Sequence, residues 1–165
     1  MRDTPVIVFI NKMDREGKDA FDLLDEIEEK LSINVKPMSW PIGIGATFKG
    51  VYNMHKTNLN LFDGNKTGIE KNVISIDNLR DSNLDSIIGQ EEANVLRDEV
   101  ELIEEVYGDF DSESYLTGKV APVFFGSALN NFGVQELLET FIEISPTPKG
   151  RLTDQRIILP DEQKF

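Results

Sequence analysis

Val6-Ile7-Val8-Phe9-Ile10, an unbroken run of β-branched and aromatic residues, is followed without a spacer by the polar Asn11-Lys12-Met13-Asp14. A run with no polar alternation reads as a strand buried on both faces of a parallel sheet, since a half-exposed strand alternates. A polar tetrapeptide at the carboxyl end of such a strand sits where open α/β sheets hold ligands. A second unit of the same kind lies near the other end: Ala121-Pro122-Val123-Phe124-Phe125, then Gly126-Ser127-Ala128-Leu129. Each unit is followed by an amphipathic helical pattern, which predicts an α/β fold of parallel strands with flanking helices.

The two loops carry complementary chemistry. Asp14 accepts two parallel hydrogen bonds, because a carboxylate is acceptor-only with two oxygens. Guanine offers two such donors on one edge, N1–H and the 2-amino group. Adenine has neither and would leave the carboxylate unpaired, and a site built on such pairs rejects the deficient analogue by roughly 10⁴ or more. The alkyl stem of Lys12 suits a base face, with its ammonium in solvent. Asn11 has both a donor and an acceptor to tie loops together. In the second loop, Gly126 and Ala128 permit close backbone approach, aiming main-chain N–H groups at a carbonyl oxygen such as guanine O6. N-K-x-D is the spacing by which GTP-binding proteins read guanine.

Asn11-Lys12-Met13-Asp14-Arg15, Trp40-Pro41-Ile42-Gly43, Phe48-Lys49-Gly50-Val51-Tyr52 and Thr117 through Val134 together resemble the translational GTPases. The resemblance is greatest to the bacterial peptide chain release factors of the GTPase class, the release factor three group. Elongation factor G ranks second: it shares the Pro-Ile-Gly segment, the Phe-x-Gly turn and the Gly-Ser-Ala-Leu loop, but its insertion is usually longer. The resemblance implies the carboxyl half of a P-loop GTPase domain carrying an inserted antiparallel β-meander plus acidic helices. Its expected divisions are a GTPase part over 1–36, an inserted α+β subdomain over 37–117, a second GTPase part over 118–149 and a linker over 150–165. It also implies a cytoplasmic, ribosome-associated parent that binds GTP or GDP with Mg²⁺ and recycles the codon-reading release factors. Asn11, Lys12 and Asp14 match the family's base-reading motif, and Ser127, Ala128 and Leu129 match its second base loop. In the related elongation factor the insertion offers an acidic helix to the ribosomal stalk protein, which makes the stalk the expected partner of the helix from Gln90 to Tyr107.

Between these motifs the chain reads in order. Asp19 caps a helix in which Ala20, Leu24, Ile27 and Leu31 recur on one face, widened by Leu23. From Pro37, Ile42–Ala46, Gly50–His55, Leu59–Phe62 and Val73–Ile76 read as short strands of a meander, with Gly43 and Gly45 marking a bulge or close backbone contact. The lone histidine, His55, reads as a strand-face residue without metal or catalytic duty. Residues Ser82 to Tyr115 are helical, with Leu96, Val100, Ile103 and Tyr107 on one stripe and Asp111 capping a short final helix. From Asp81 to Tyr115 there are twelve acidic residues and one arginine, so this stretch carries −11 of the net −13. A helix from Gly133 to Ile144 turns Val134, Leu137, Leu138, Phe141 and Ile142 inward and stops before Pro146 and Pro148.

Composition narrows the functions further. The net charge of −13 disfavours a direct grip on phosphate backbones. With no cysteine, disulfides and thiolate metal sites are excluded. No stretch spells G-x-x-x-x-G-K-[ST]: Gly64-Asn65-Lys66-Thr67 lacks the required glycines and reads as a hairpin turn. Asp14-Arg15-Glu16-Gly17 spells D-x-x-G, but Asp14 already serves the base. The parts that supply catalysis in GTP hydrolysis are therefore not assigned to these residues, and the fragment is expected to be inactive as a GTPase. A reading from another class stays open: a small acidic interaction module that binds a basic partner and no nucleotide.

Overall fold

The computed structural model describes residues 4–61, 72–76, 78–130, 132–147, 150–152 and 157–158. In chain order its elements are β1 (Val8–Ile10), α1 (Ala20–Leu31), β2 (Asn34–Pro37), β3 (Ser39–Ile42), β4 (Gly50–Asn53), β5 (Asn58–Leu61), β6 (Asn72–Ser75), α2 (Ser82–Ile88), α3 (Gln90–Tyr107), α4 (Ser112–Leu116), β7 (Val120–Phe125) and α5 (Val134–Ile144). A short antiparallel pair follows, β8 (Arg151–Leu152) with β9 (Ile157–Ile158). That pair lies in the stretch read from sequence as an unpatterned linker, most of which falls outside the described residues.

A three-stranded parallel sheet runs β1-β7-β2. The central strand carries the core: Val123, Phe124 and Phe125 are completely buried. Val8, Phe9 and Ile10 are only half buried, which corrects the expectation of burial on both faces. The reason is position, because β1 is an edge strand of this sheet and its own run cannot reveal which neighbours it has. β2, four residues long, carries no sequence pattern that singles it out.

The second sheet is the expected meander, antiparallel in the order β3-β4-β5-β6. Its first strand starts earlier than the sequence suggests, at Ser39, and Gly43 and Gly45 leave the ladder for a 3-10 turn over Gly45–Thr47. Gly64–Thr67, read as a hairpin turn, and Phe62 lie outside the described residues. His55 is in the turn after β4 rather than on a strand face, with Nε2 3.5 Å from Glu143 Oε2 on α5. Met38 joins the two sheets: its N–H donates to Val123 O at 2.9 Å and its carbonyl accepts from Met54 N at 3.0 Å. Beside it, the buried Ser39 hydroxyl accepts the Phe125 N–H at 3.0 Å. Trp40 then fills the joint, its ring centroid 4.6 Å from Phe21 on α1 and 5.3 Å from Phe125 on β7.

The helices follow their caps. Asp19 accepts from Phe21 N, Asp81 from Asn83 N, and Asp111 from Glu113 N and Ser114 N. In α1 the buried stripe is Ala20 and Leu24, while Leu31 in the last turn is exposed. The acidic stretch breaks into α2, α3 and α4 at Gly89, whose φ is +95°, and at Gly108. In α3, Leu96, Val100 and Ile103 are buried as their spacing predicts, Tyr107 at the end of the stripe is only half buried, and Ala93 joins the core one turn earlier. In α5 the expectation fails: Leu138, Phe141 and Ile142 are 53%, 49% and 77% exposed, and Thr140 is the buried residue. Periodicity shows that a helix has an apolar face, but whether anything covers it depends on the rest of the sheet.

Candidate guanine-binding site

Because Ile10 pairs with Phe125 in parallel register, the loops after β1 and β7 leave the sheet side by side at its carboxyl edge. Main-chain bonds then interlock them. Gly126 N donates to Ile10 O at 3.0 Å and Met13 N donates to Gly126 O at 3.1 Å. Gly126 is required there: a Cβ would lie 2.2 Å from Phe132 O and 2.9 Å from Phe9 Cζ.

Asn11 is the tie between the loops. Its Oδ1 accepts the Lys12 N–H and, 117 residues away, the Ala128 N–H, both at 2.8 Å. Lys12 sits at φ +71°, a conformation that costs an ordinary L residue roughly 1–2 kcal/mol and is typically retained at ligand sites. The Asn11 bond and the turn bond from Arg15 N to Lys12 O at 3.0 Å hold it there. Lys12 is exposed, while Met13 between the polar residues is buried in the core and anchors the loop.

Asp14 is half buried, and its Oδ1 is shut off from solvent without a hydrogen-bond partner. A carboxylate oxygen in that state is costly unless a donor arrives, and a base edge with two N–H donors supplies that chemistry. In the second loop, Ser127 is buried and structural: its N–H donates to Phe132 O at 3.0 Å, and its hydroxyl accepts from Asn130 Nδ2 at 3.0 Å. Ala128 and Leu129 are exposed. The Ala128 N–H, a sequence-level choice for guanine O6, is engaged by Asn11. Asn11, Lys12, Asp14, Ser127, Ala128 and Leu129 thus come together at one end of the sheet. Sequence reasoning gave no role in the site to Met13, Asn130 or Gly45, whose N–H donates to Met13 O at 2.9 Å. The one available signal was the Gly43/Gly45 pair, marked as a point of close backbone contact.

Parallel strands with flanking helices, crossed at their carboxyl ends by two interlocked polar loops, make an α/β fold that fits part of a P-loop GTPase domain. Residues 1–147 match the family model described as the elongation factor Tu GTP binding domain. The chain belongs to that family of translation-factor GTP-binding domains, so guanine nucleotide binding is a property of its family. It is also similar in fold to a protein of solved crystal structure from Thermus thermophilus, with a TM-score of 0.55 and 23% sequence identity. That similarity spans 88% of this chain and 23% of the Thermus protein, so the chain spans about a quarter of that protein's length.

Proposed function

We propose that this chain is the guanine-reading part of a ribosome-associated GTP-binding factor that acts in translation termination by recycling codon-reading release factors. The observation that carries the guanine reading is the unpaired, buried Asp14 Oδ1 beside an Asn11 that bridges both loops. In this reading Asp14 takes N1–H and the 2-amino group, Lys12 covers the base face, and Ser127–Leu129 shape the O6 side. The Trp40–Gly43, Phe48–Tyr52 and Thr117–Val134 segments support a translation factor of either kind; the short stretch between the two base loops favours the termination role, and elongation factor G-type translocation, whose insertion is usually longer, is the second reading. Residues 1–36 and 118–149 form the GTPase parts, 37–117 the inserted subdomain and 150–165 the linker. Asn11, Lys12 and Asp14 would hold the guanine base of GTP or GDP, and neither phosphate nor Mg²⁺ contacts are assigned to residues of this chain.

Helix α3 is proposed as the ribosomal stalk contact, in a cytoplasmic factor. Beside its acidic residues it exposes Val95, Leu102 and Val106, spaced i, i+7 and i+11 on one line. An apolar line bordered by Asp98, Glu101 and Glu105 suits a basic amphipathic partner, with apolar contact giving affinity and charge giving steering. At the end of that line lies a cleft of about 340 Å³ lined by Glu28, Lys36, Val106, Tyr107, Asp109 and Asp111, among others.

Asp14→Asn tests the base reading. The amide turns one acceptor into a donor, which mismatches the 2-amino group of guanine and suits the 2-oxo group of xanthine, at about 1–3 kcal/mol per mismatched pair. Competition of guanosine against xanthosine diphosphate should shift toward xanthosine, and an unchanged ratio means that Asp14 does not read the base. Stopped-flow dissociation of a labelled codon-reading release factor from terminated ribosomes separates recycling from translocation.

A further inference from the structure

The inserted meander reaches the loop that carries Asp14. Where the chain leaves β3, Gly45 N donates to Met13 O at 2.9 Å, while Met13 N donates to Gly126 O at 3.1 Å. Residue 13 is thus held on one side by the β7 loop and on the other by the insertion, directly before Asp14.

The turn that makes this contact is densely hydrogen-bonded for its size. Thr47 N donates to Ile44 O at 3.2 Å, Phe48 N to Gly45 O at 3.2 Å and Lys49 N to Ile42 O at 2.8 Å. The Thr47 hydroxyl donates to Ile44 O at 2.9 Å and accepts from Ile44 N at 3.3 Å. Gly43 and Gly45 have φ of +75° and +61°. A Cβ on Gly43 would lie 2.4 Å from Thr47 O. A Cβ on Gly45 would lie 2.6 Å from Glu16 Oε1, which can swing away, and 3.2 Å from Glu16 N, which cannot. Turn and loop therefore meet main chain to main chain: a methyl group on Gly45 would displace the Glu16 carboxylate, press on Glu16 N and sit at a φ of +61° that strains an L residue.

We propose that the Gly43–Phe48 turn positions the guanine-reading loop, and that Gly45 is a positioning residue for guanine specificity. Through its N–H on Met13 O it sets where the Asp14 carboxylate stands relative to Ala128. A carboxylate that must meet two donors at once tolerates little displacement, so specificity depends on this contact. The turn is in turn fastened to the helices of the insertion: Lys49 Nζ donates to Ile88 O at 2.6 Å and to Glu92 Oε1 at 2.5 Å. The proposal rests on Asp14 as the base-reading residue.

The test uses the 165-residue chain, with backbone amide resonances followed while guanosine diphosphate or xanthosine diphosphate is titrated to millimolar concentration. In the unsubstituted chain, guanosine diphosphate should be preferred and should slow hydrogen exchange at the Gly45 amide along with Asp14, because coupling between two sites is reciprocal. Gly45→Ala should move the Met13, Asp14 and Ala128 amide resonances, leave those of Val100 and Ile103 in place, and cut the guanosine preference several-fold. If the unsubstituted chain shows no guanosine preference, the base reading fails and this proposal with it. If the preference is present but survives Gly45→Ala, the positioning role is overturned while the base reading stands. Should Gly45→Ala not fold, the unsubstituted chain still decides: a Gly45 amide indifferent to saturating guanosine diphosphate overturns the proposal.

Discussion

The indole N–H of Trp40 donates to Glu99 Oε2 at 2.7 Å, fastening the acidic helix α3 to the first strand of the meander across 59 residues of sequence. Trp40 is buried, and Glu99 is one acidic residue of α3 that turns away from solvent. Burial pushes the Glu99 carboxyl above the usual carboxylate range. The Trp40 hydrogen bond acts in the other direction, and Asp19 and Asp98 add to the rise.

Two substitutions at Glu99 should therefore diverge. Glu99→Ala leaves the indole N–H unpaired inside the protein and should cost about 1–3 kcal/mol. Glu99→Gln keeps an acceptor and removes the buried charge, so at neutral pH it should be at least as stable as the parent. The sign of the pH dependence follows from a raised native pKa. Stability from this group is complete below the unfolded value near 4.5 and is lost as pH rises through the native value. The advantage of Gln should thus vanish in acid. Urea unfolding followed by fluorescence of the single tryptophan, near neutrality and below the unfolded carboxyl pKa, measures both.

Asn11→Ala removes the acceptor shared by Lys12 N and Ala128 N. A destabilisation of about 1–2 kcal/mol is expected, with faster amide exchange at Lys12 and Ala128 and no change in α3. Asn11→Asp keeps the oxygen and should restore much of the protection. Exchange that stays slow at Ala128 in the Ala variant would show that the loops do not depend on this tie.

The 165-residue chain should self-associate. Leu138, Phe141 and Ile142 form an exposed apolar face, and among the described residues β1 pairs with β7 alone. Open edges and apolar faces both recruit further chains, and each large apolar side chain buried contributes about 1.5–3 kcal/mol. Sedimentation velocity should show mass rising with concentration, and Phe141→Lys combined with Ile142→Lys should reduce it. A chain that stays monomeric at high concentration contradicts this.

Steering and anchoring on α3 should separate kinetically. Reversing Glu101, Glu104 and Glu105 to Lys should slow association with a basic stalk partner several-fold. The deficit should shrink in high salt, since exposed charges are screened over about 8–10 Å near physiological ionic strength. Leu102→Ser with Val106→Ser should act mainly on dissociation, because the apolar contact forms after encounter. Stopped-flow rates unaffected by either set would leave α3 a solvated face.

Local chemistry was enough to specify the strand-then-loop units at Val6–Asp14 and Ala121–Leu129, the caps Asp19 and Asp111, the last three strands of the meander and most of the core stripe of α3, while the meander's first strand, expected at Ile42–Ala46, lies at Ser39–Ile42. Each is set by neighbours within a few residues, through side-chain periodicity, a capping oxygen or a turn glycine. Local pattern was silent where the outcome depends on which surface arrives from far along the chain. It could not show that β1 is an edge strand, that α5 keeps its apolar face exposed, or that Glu99 alone among its acidic neighbours bonds Trp40. Nor could it show that Asn11 holds Ala128, or that Gly45 after β3 bonds Met13 beside Asp14. The Asn11–Ala128 tie exists only once β1 pairs with β7, and the Glu99 and Gly45 contacts only once the two sheets dock through Met38 and Ser39. The sequence by itself determined the elements and the chemistry of the loop residues; the tertiary structure decided which loops stand together, because burial and hydrogen-bond pairing are properties of the assembled neighbours.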